Sequence, residues 1–152
     1  MRTALVHSAS WLATCFQIGY LPLAPGTWGS AAALIAWRLL PEIELFKLSL
    51  IVIVIFLVGV IVSSVVSDQE SNSDPSKVVI DEWVGMWIAL LMIPNEWLWL
   101  GVAFILFRIF DIVKVYPANR FERLHGGWGI MMDDVVAGLY AGVITQAVSL
   151  FL

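Results

Sequence analysis

Charge is the scarcest property of this 152-residue chain, with Asp, Glu, Lys and Arg making up 13% of it. An average soluble domain carries roughly 25%. By contrast, 61% of the residues are hydrophobic and eight are Trp, and the mean hydropathy is +0.91. Too little polar surface remains to coat a soluble globule, so a membrane protein is expected. Cysteine is nearly absent too. The single Cys15 excludes an internal disulfide framework and is silent on compartment. The two histidines, His7 and His125, are too few and too scattered for a zinc site. There is no internal repeat and no low-complexity tract, and the length fits a single domain, 1–152.

What charge there is collects between apolar runs. Residues 48–67, 83–95, 97–107 and 135–152 carry none. Five apolar segments separate, near residues 30–40, 46–67, 76–93, 97–115 and 131–151. The last four have about the twenty residues that cross hydrocarbon. The first is too short to cross alone, and enters partway behind a Pro/Gly loop buried in protein. The expectation is an all-α integral membrane helical bundle, with four spanning helices and a short, partly inserted one. The start, "MRTALVHSASWLATCF", is read as an amphipathic segment rather than a signal peptide. It has one Arg, a His breaking the apolar run and no small-x-small cleavage site.

If the chain alternates direction, "LAPGTWGS", "SDQESNSDPSK" and "YPANRFERLHGGWG" share one membrane face. Arg2, Lys77, Arg108, Lys114, Arg120 and Arg123 lie on or near that face, against Arg38 and Lys47 opposite. That bias makes the face cytoplasmic under the positive-inside rule. Three polar segments, distant in sequence, then meet at one cytoplasmic site.

Each segment carries a constellation. In "DPSKVVIDEWVGMWIA", Asp74 before Pro75 reads as a helix start, Asp as N-cap and Pro at the first helical position. Asp81 and Glu82 then fall about two turns inside, on one face with Val78 and Gly85. Gly85 and Ala89 extend that face with small residues that permit close helix approach. Ionisable groups at such depth cost roughly 2.5–3.5 kcal/mol each on insertion scales, and are usually functional. In "FRIFDIVKVYP", Arg108, Asp111 and Lys114 are three apart and line one flank. A structural ion-pair ladder would look the same. A carboxylate between two cations also suits a site holding both a metal and a phosphate.

"GGWGIMMDDVVAG" places Asp133 and Asp134 at the start of the last apolar run. Complementing a helix dipole accounts for one acid there, but not for two. Asp134, Gly138 and Gly142 share a face, which again sets a carboxylate beside a small-residue stripe. In "LAPGTWGS", Thr27 or Ser30 is read as a helix cap, beside Gly26 and Gly29 at an anion-binding helix N-terminus.

Five carboxylates converge in this reading: Asp81, Glu82, Asp111, Asp133 and Asp134. Packed without a counter-ion they would repel one another. An all-oxygen donor set is hard-cation chemistry, Mg²⁺ or Mn²⁺. A divalent ion beside Arg and Lys points to phosphate.

Together, "LAPGTWGS", "DPSKVVIDEWVG", "FRIFDIVK" and "GGWGIMMDDVVAG" resemble the phosphatidylglycerophosphatase A family, Mg²⁺-dependent membrane phosphatases of bacterial phospholipid synthesis. The four stretches occur in family order between residues 23 and 138, most of the chain. The resemblance implies hydrolysis of phosphatidylglycerophosphate to phosphatidylglycerol and inorganic phosphate. It implies that Asp81, Glu82, Asp111, Asp133 and Asp134 are the metal-binding and catalytic acids. It places Thr27, Arg108, Lys114 and Asp74 on the substrate's phosphate. One departure is Val115, where the family usually has Pro, which implies a less sharply bent exit from the fourth apolar segment.

The partners expected are the phospholipid substrate and membrane lipid, with no nucleic acid; the sequence sets no oligomeric state. The location expected is the bacterial inner membrane, multi-pass, with the site facing the cytoplasm. The competing reading is an ion- or proton-coupled transporter using the acidic cluster. It should show acids at the membrane midplane and an internal repeat, and neither is evident.

Overall fold

The structure is a computed structural model and describes residues 2–121 and 124–151. Arg123 lies outside the described residues, as does the side chain of Arg2. The described residues form helices and no strand. In chain order these are α1 (Arg2–Ala13), a 3-10 turn (Ile18–Tyr20), α2 (Pro25–Leu39), α3 (Leu45–Glu70), α4 (Ile80–Leu90), α5 (Trp97–Val113), α6 (Ala118–Phe121) and α7 (Gly127–Ser149).

Two helices, α3 with 26 residues and α7 with 23, are long and apolar enough to cross a membrane. At 1.5 Å per residue both exceed the ~30 Å of hydrocarbon. The other two segments expected to span are shorter, 11 residues in α4 and 17 in α5. The cause lies at the start of α4. The Val79 amide donates to the Ala13 carbonyl at 2.9 Å, and Gly19 presses against the Lys77 carbonyl. The N-terminal segment therefore holds residues 75–79 out of the helix.

The same displacement revises the expected caps. Asp74 is exposed and caps nothing, because the N-cap of α4 is Val79. Asp81 and Glu82 lie in the first turn of α4 rather than two turns in. Conversely, α7 starts at Gly127, so Asp133 and Asp134 lie about two turns inside it rather than in its first turn. Helix α2 begins at Pro25 with Ala24 as N-cap and no side-chain cap, so neither Thr27 nor Ser30 serves as one. Helix α5 ends at Lys114 in the left-handed region, φ 48° and ψ 60°, so the chain turns sharply without a Pro at Val115.

The centre of the molecule is the pairing of α4 with α7, flanked by α2, α5 and α3. The small-residue faces read from the sequence meet there. A Cβ on Gly138 would strike the Gly85 carbonyl, and one on Gly142 would come 3.0 Å from the Ala89 carbonyl. Phe107, Met86, Leu90, Leu100 and Met131 fill the interior around this seam. Outside, α3 exposes Leu50, Ile53, Val54, Leu57 and Ile61, and α5 exposes Ile105, Ile109 and Ile112. So broad an apolar surface fits a protein solvated by lipid.

Candidate active site

Four helix ends meet beside the α4–α7 seam. The first turn of α4 supplies Asp81 and Glu82, and the second turn of α7 supplies Asp133 and Asp134. The end of α5 supplies Arg108, Asp111 and the C-cap Lys114. The start of α2 supplies Gly26, Thr27 and Ser30.

Three acids converge closely. One carboxylate oxygen from each of Asp81, Glu82 and Asp134 lies within 4.8 Å of the other two. Asp134 is 2% exposed and Asp81 is 9%, so neither charge is relieved by water. Asp81 Oδ1, Glu82 Oε2 and Asp134 Oδ2 are each buried with no hydrogen-bond partner. Buried polar atoms are almost always partnered, so three clustered carboxylates that each keep an unpartnered oxygen form a group that could hold a cation. Oxygen donors alone suit a hard divalent ion such as Mg²⁺ or Mn²⁺.

The remaining two acids are held by cations. Arg108 Nη1 lies 2.7 Å from Asp111 Oδ2 and 3.9 Å from Glu82 Oε1. Lys114 Nζ lies 3.0 Å from Asp133 Oδ2, while Asp133 Oδ1 accepts the Asp134 amide at 3.1 Å. The Asp111 charge acts on Glu82, Asp133 and Asp134 alike, so all five acids share one electrostatic site. The set therefore divides into three clustered carboxylates that could hold a cation and two, Asp111 and Asp133, that pair with Arg108 and Lys114.

Among the other expected residues, Thr27 is half-buried in the first turn of α2, next to Gly26. A Cβ on Gly26 would run into Glu82 Oε1 and come 3.2 Å from Arg108 Nη1, so only glycine lets α2 approach the pair so closely. Asp74 is exposed, yet its charge reaches Asp133. Lys77 pairs with Glu70 and lies 5.6 Å from the centre of the Tyr20 ring. The Glu70 hydrogen bond, with smaller help from Tyr20, holds its ammonium pKa above the ordinary value. It therefore anchors the α3–α4 loop to the N-terminal segment.

Two contributors were not read from the sequence as site residues. Ser30 is fully buried; its hydroxyl donates to the Gly26 carbonyl at 2.8 Å and accepts from Arg108 Nη1 at 3.2 Å. Ser64 accepts the Gly127 amide at 2.8 Å and fixes where α7 begins. A serine inside the apolar run of α3 was the available signal for the second.

A family model described as phosphatidylglycerophosphatase A matches residues 11–149. The chain belongs to the phosphatidylglycerophosphatase A family. Among similar curated proteins is the phosphatidylglycerophosphatase A of Escherichia coli, 38% identical over 148 residues, covering 94% of this chain and 86% of the relative. That of Haemophilus influenzae is 38% identical over 150 residues, covering 97% and 92%. A Bacteroides thetaiotaomicron protein named as a candidate phosphatidylinositol-3-phosphatase is 41% identical over 140 residues, covering 88% of each chain. No solved structure matches. The phosphatidylglycerophosphatase A family is one of phosphatases, so this chain is an enzyme of that class, and the transporter reading gives way.

Proposed function

We propose that this chain hydrolyses phosphatidylglycerophosphate to phosphatidylglycerol and inorganic phosphate, and that it does so with Mg²⁺. The observation that carries the proposal is the convergence of three carboxylates, each with an unpartnered buried oxygen, beside Arg108 and Lys114. That is the charge pattern a dianionic phosphomonoester and a divalent cation require together. Two of the similar proteins bear the name of this activity.

In this mechanism Asp81, Glu82 and Asp134 would hold the cation, which would neutralise phosphoryl oxygens and lower the pKa of a bound water. Arg108 presents a planar fork to the phosphoryl group and Lys114 a point charge. Asp111 and Asp133 keep these two cations aimed, and Ser30 fixes the Arg108 end nearest α2. Thr27 and Asp74 border the entry for the terminal phosphate. The attacking water forms the new P–O bond, and its proton passes to a carboxylate of the cluster. The P–O bond to the headgroup glycerol breaks, and that oxygen takes up the proton held by the cluster carboxylate and leaves as the alcohol. Positioning and charge stabilisation supply most of the rate in such transfers.

The single domain would lie in a bacterial inner membrane, with the longer segments around α4 (76–93) and α5 (97–115) completing four crossings and the site on the cytoplasmic face. The bias of six basic residues against two supports that orientation. The Bacteroides relative favours a second reading, in which the phosphate sits on an inositol headgroup. Phosphate release by the purified chain in lipid nanodiscs, from phosphatidylglycerophosphate and from phosphatidylinositol 3-phosphate, separates the two. The first lipid is expected to be turned over preferentially. Equal or greater turnover of the second would overturn the substrate assignment.

A further inference from the structure

A cavity of about 310 Å³ opens between α1, α3 and α4, one helix face away from the acids. It far exceeds the ~30 Å³ that one water occupies in the liquid. Every side chain lining it is apolar or a thiol, including Cys15, Val58, Ile80, Trp83 and Trp87. Leu12, Phe16 and Val54 form its rim and are exposed. On α3 that rim is continuous with the exposed apolar surface of Leu50, Ile53 and Leu57. The mouth therefore faces lipid rather than water.

The inner wall is built rather than loose. Trp87 donates its indole N–H to the Ala33 carbonyl at 2.9 Å. Its ring lies 5.8 Å from Trp37 and 6.2 Å from Trp83. Ile80, Trp83 and Trp87 recur at i, i+3 and i+7 along α4, so they run from the level of the acids to about 10 Å deeper. Ile80 lines the cavity and directly precedes Asp81 at the start of α4, so one end of the cavity lies beside the acidic site while its side opens to the bilayer.

We infer that this cavity receives one acyl chain of the phospholipid substrate and so holds the lipid with its headgroup over the carboxylates. The inference rests on the phospholipid phosphatase reading above. It assigns α1 and the tryptophan wall of α4 a substrate-binding task separate from the phosphate site. A lipid that leaves its chains in the bilayer would leave this cavity without a purpose. One that threads a chain into it gains a burial that a soluble phosphomonoester cannot match.

Two experiments on the full chain test this. The first compares wild type with Val58→Trp, which fills the cavity, on long-chain phosphatidylglycerophosphate and on its deacylated headgroup. The variant is expected to raise KM for the lipid about tenfold, the scale of a methylene or two lost from an apolar pocket. Its rate on the deacylated headgroup is expected to stay unchanged. Equal effects on both substrates, or none on either, would overturn the inference while leaving the phosphatase reading intact. Failure of wild type to hydrolyse either substrate would instead overturn the phosphatase reading.

The second uses wild type alone and so does not depend on the variant folding. A phospholipid with a diazirine in its acyl chain is photolysed with the protein in nanodiscs. Labels are expected on residues 12–16 and 80–87. Labels confined to the outer faces of α5 and α7 would overturn the inference whatever the enzyme's activity.

Discussion

Gly138 of α7 rests against the backbone carbonyl of Gly85 in α4, with no room for a Cβ between them. Asp134 lies one turn from Gly138 on the same face, and Asp81 and Glu82 lie one turn from Gly85. The glycine contact therefore sets the distance between acids that come from two helices. Gly138→Val is expected to cost about 1–3 kcal/mol, the usual penalty for overpacking, and to lower activity as well. Thermal unfolding in detergent beside phosphate release checks this; an unchanged melting temperature would contradict the contact.

The three orphaned carboxylates make a prediction that does not depend on turnover. Mg²⁺ binding only to the folded state raises its stability by mass action. The melting temperature of wild type is therefore expected to rise with Mg²⁺, and that rise is expected to vanish in Asp134→Asn. In EDTA the variant should melt no lower than wild type, because a like charge has been removed from the cluster. A full Mg²⁺ response in Asp134→Asn would move the cation elsewhere.

Arg108 bridges α2, α4 and α5 through Ser30, Glu82 and Asp111. Arg108→Lys keeps the charge but loses the fork, so kcat/KM is expected to fall at least about tenfold. Ser30→Ala removes one acceptor, worth about 1 kcal/mol, and is expected to lower it only severalfold. Steady-state kinetics on both variants give the order; a larger loss in Ser30→Ala would contradict it.

Orientation is open to a labelling test. In a Cys15→Ala background, single cysteines at Ser71 and Arg120, both exposed, are expected to react with a membrane-impermeant maleimide only once the cytoplasmic side is opened. Reaction of either from outside intact cells would reverse the topology.

Much of the site was legible from spacing alone. The Gly85–Ala89 and Gly138–Gly142 stripes were read at helical spacing, and they form the seam. The acids beside them followed from the scarcity of charge elsewhere. The helix starts were not legible, because a hydrogen bond from Val79 to Ala13, 66 positions earlier, ends α4 short of Pro75. No local propensity encodes such a contact. The division of the five acids into three plus two was equally hidden. It depends on where Arg108 and Lys114 place their charged ends, and periodicity fixes only the helix face.

The most direct measurement is phosphate release from phosphatidylglycerophosphate by the purified chain, with Mg²⁺ and then with EDTA, in wild type and in Asp134→Asn. Release that requires Mg²⁺, and that falls at least a hundredfold in the variant, on the scale of losing one key electrostatic group, is the expected result. Undiminished release in EDTA, or full activity in Asp134→Asn, would contradict a cation-dependent site built on these carboxylates.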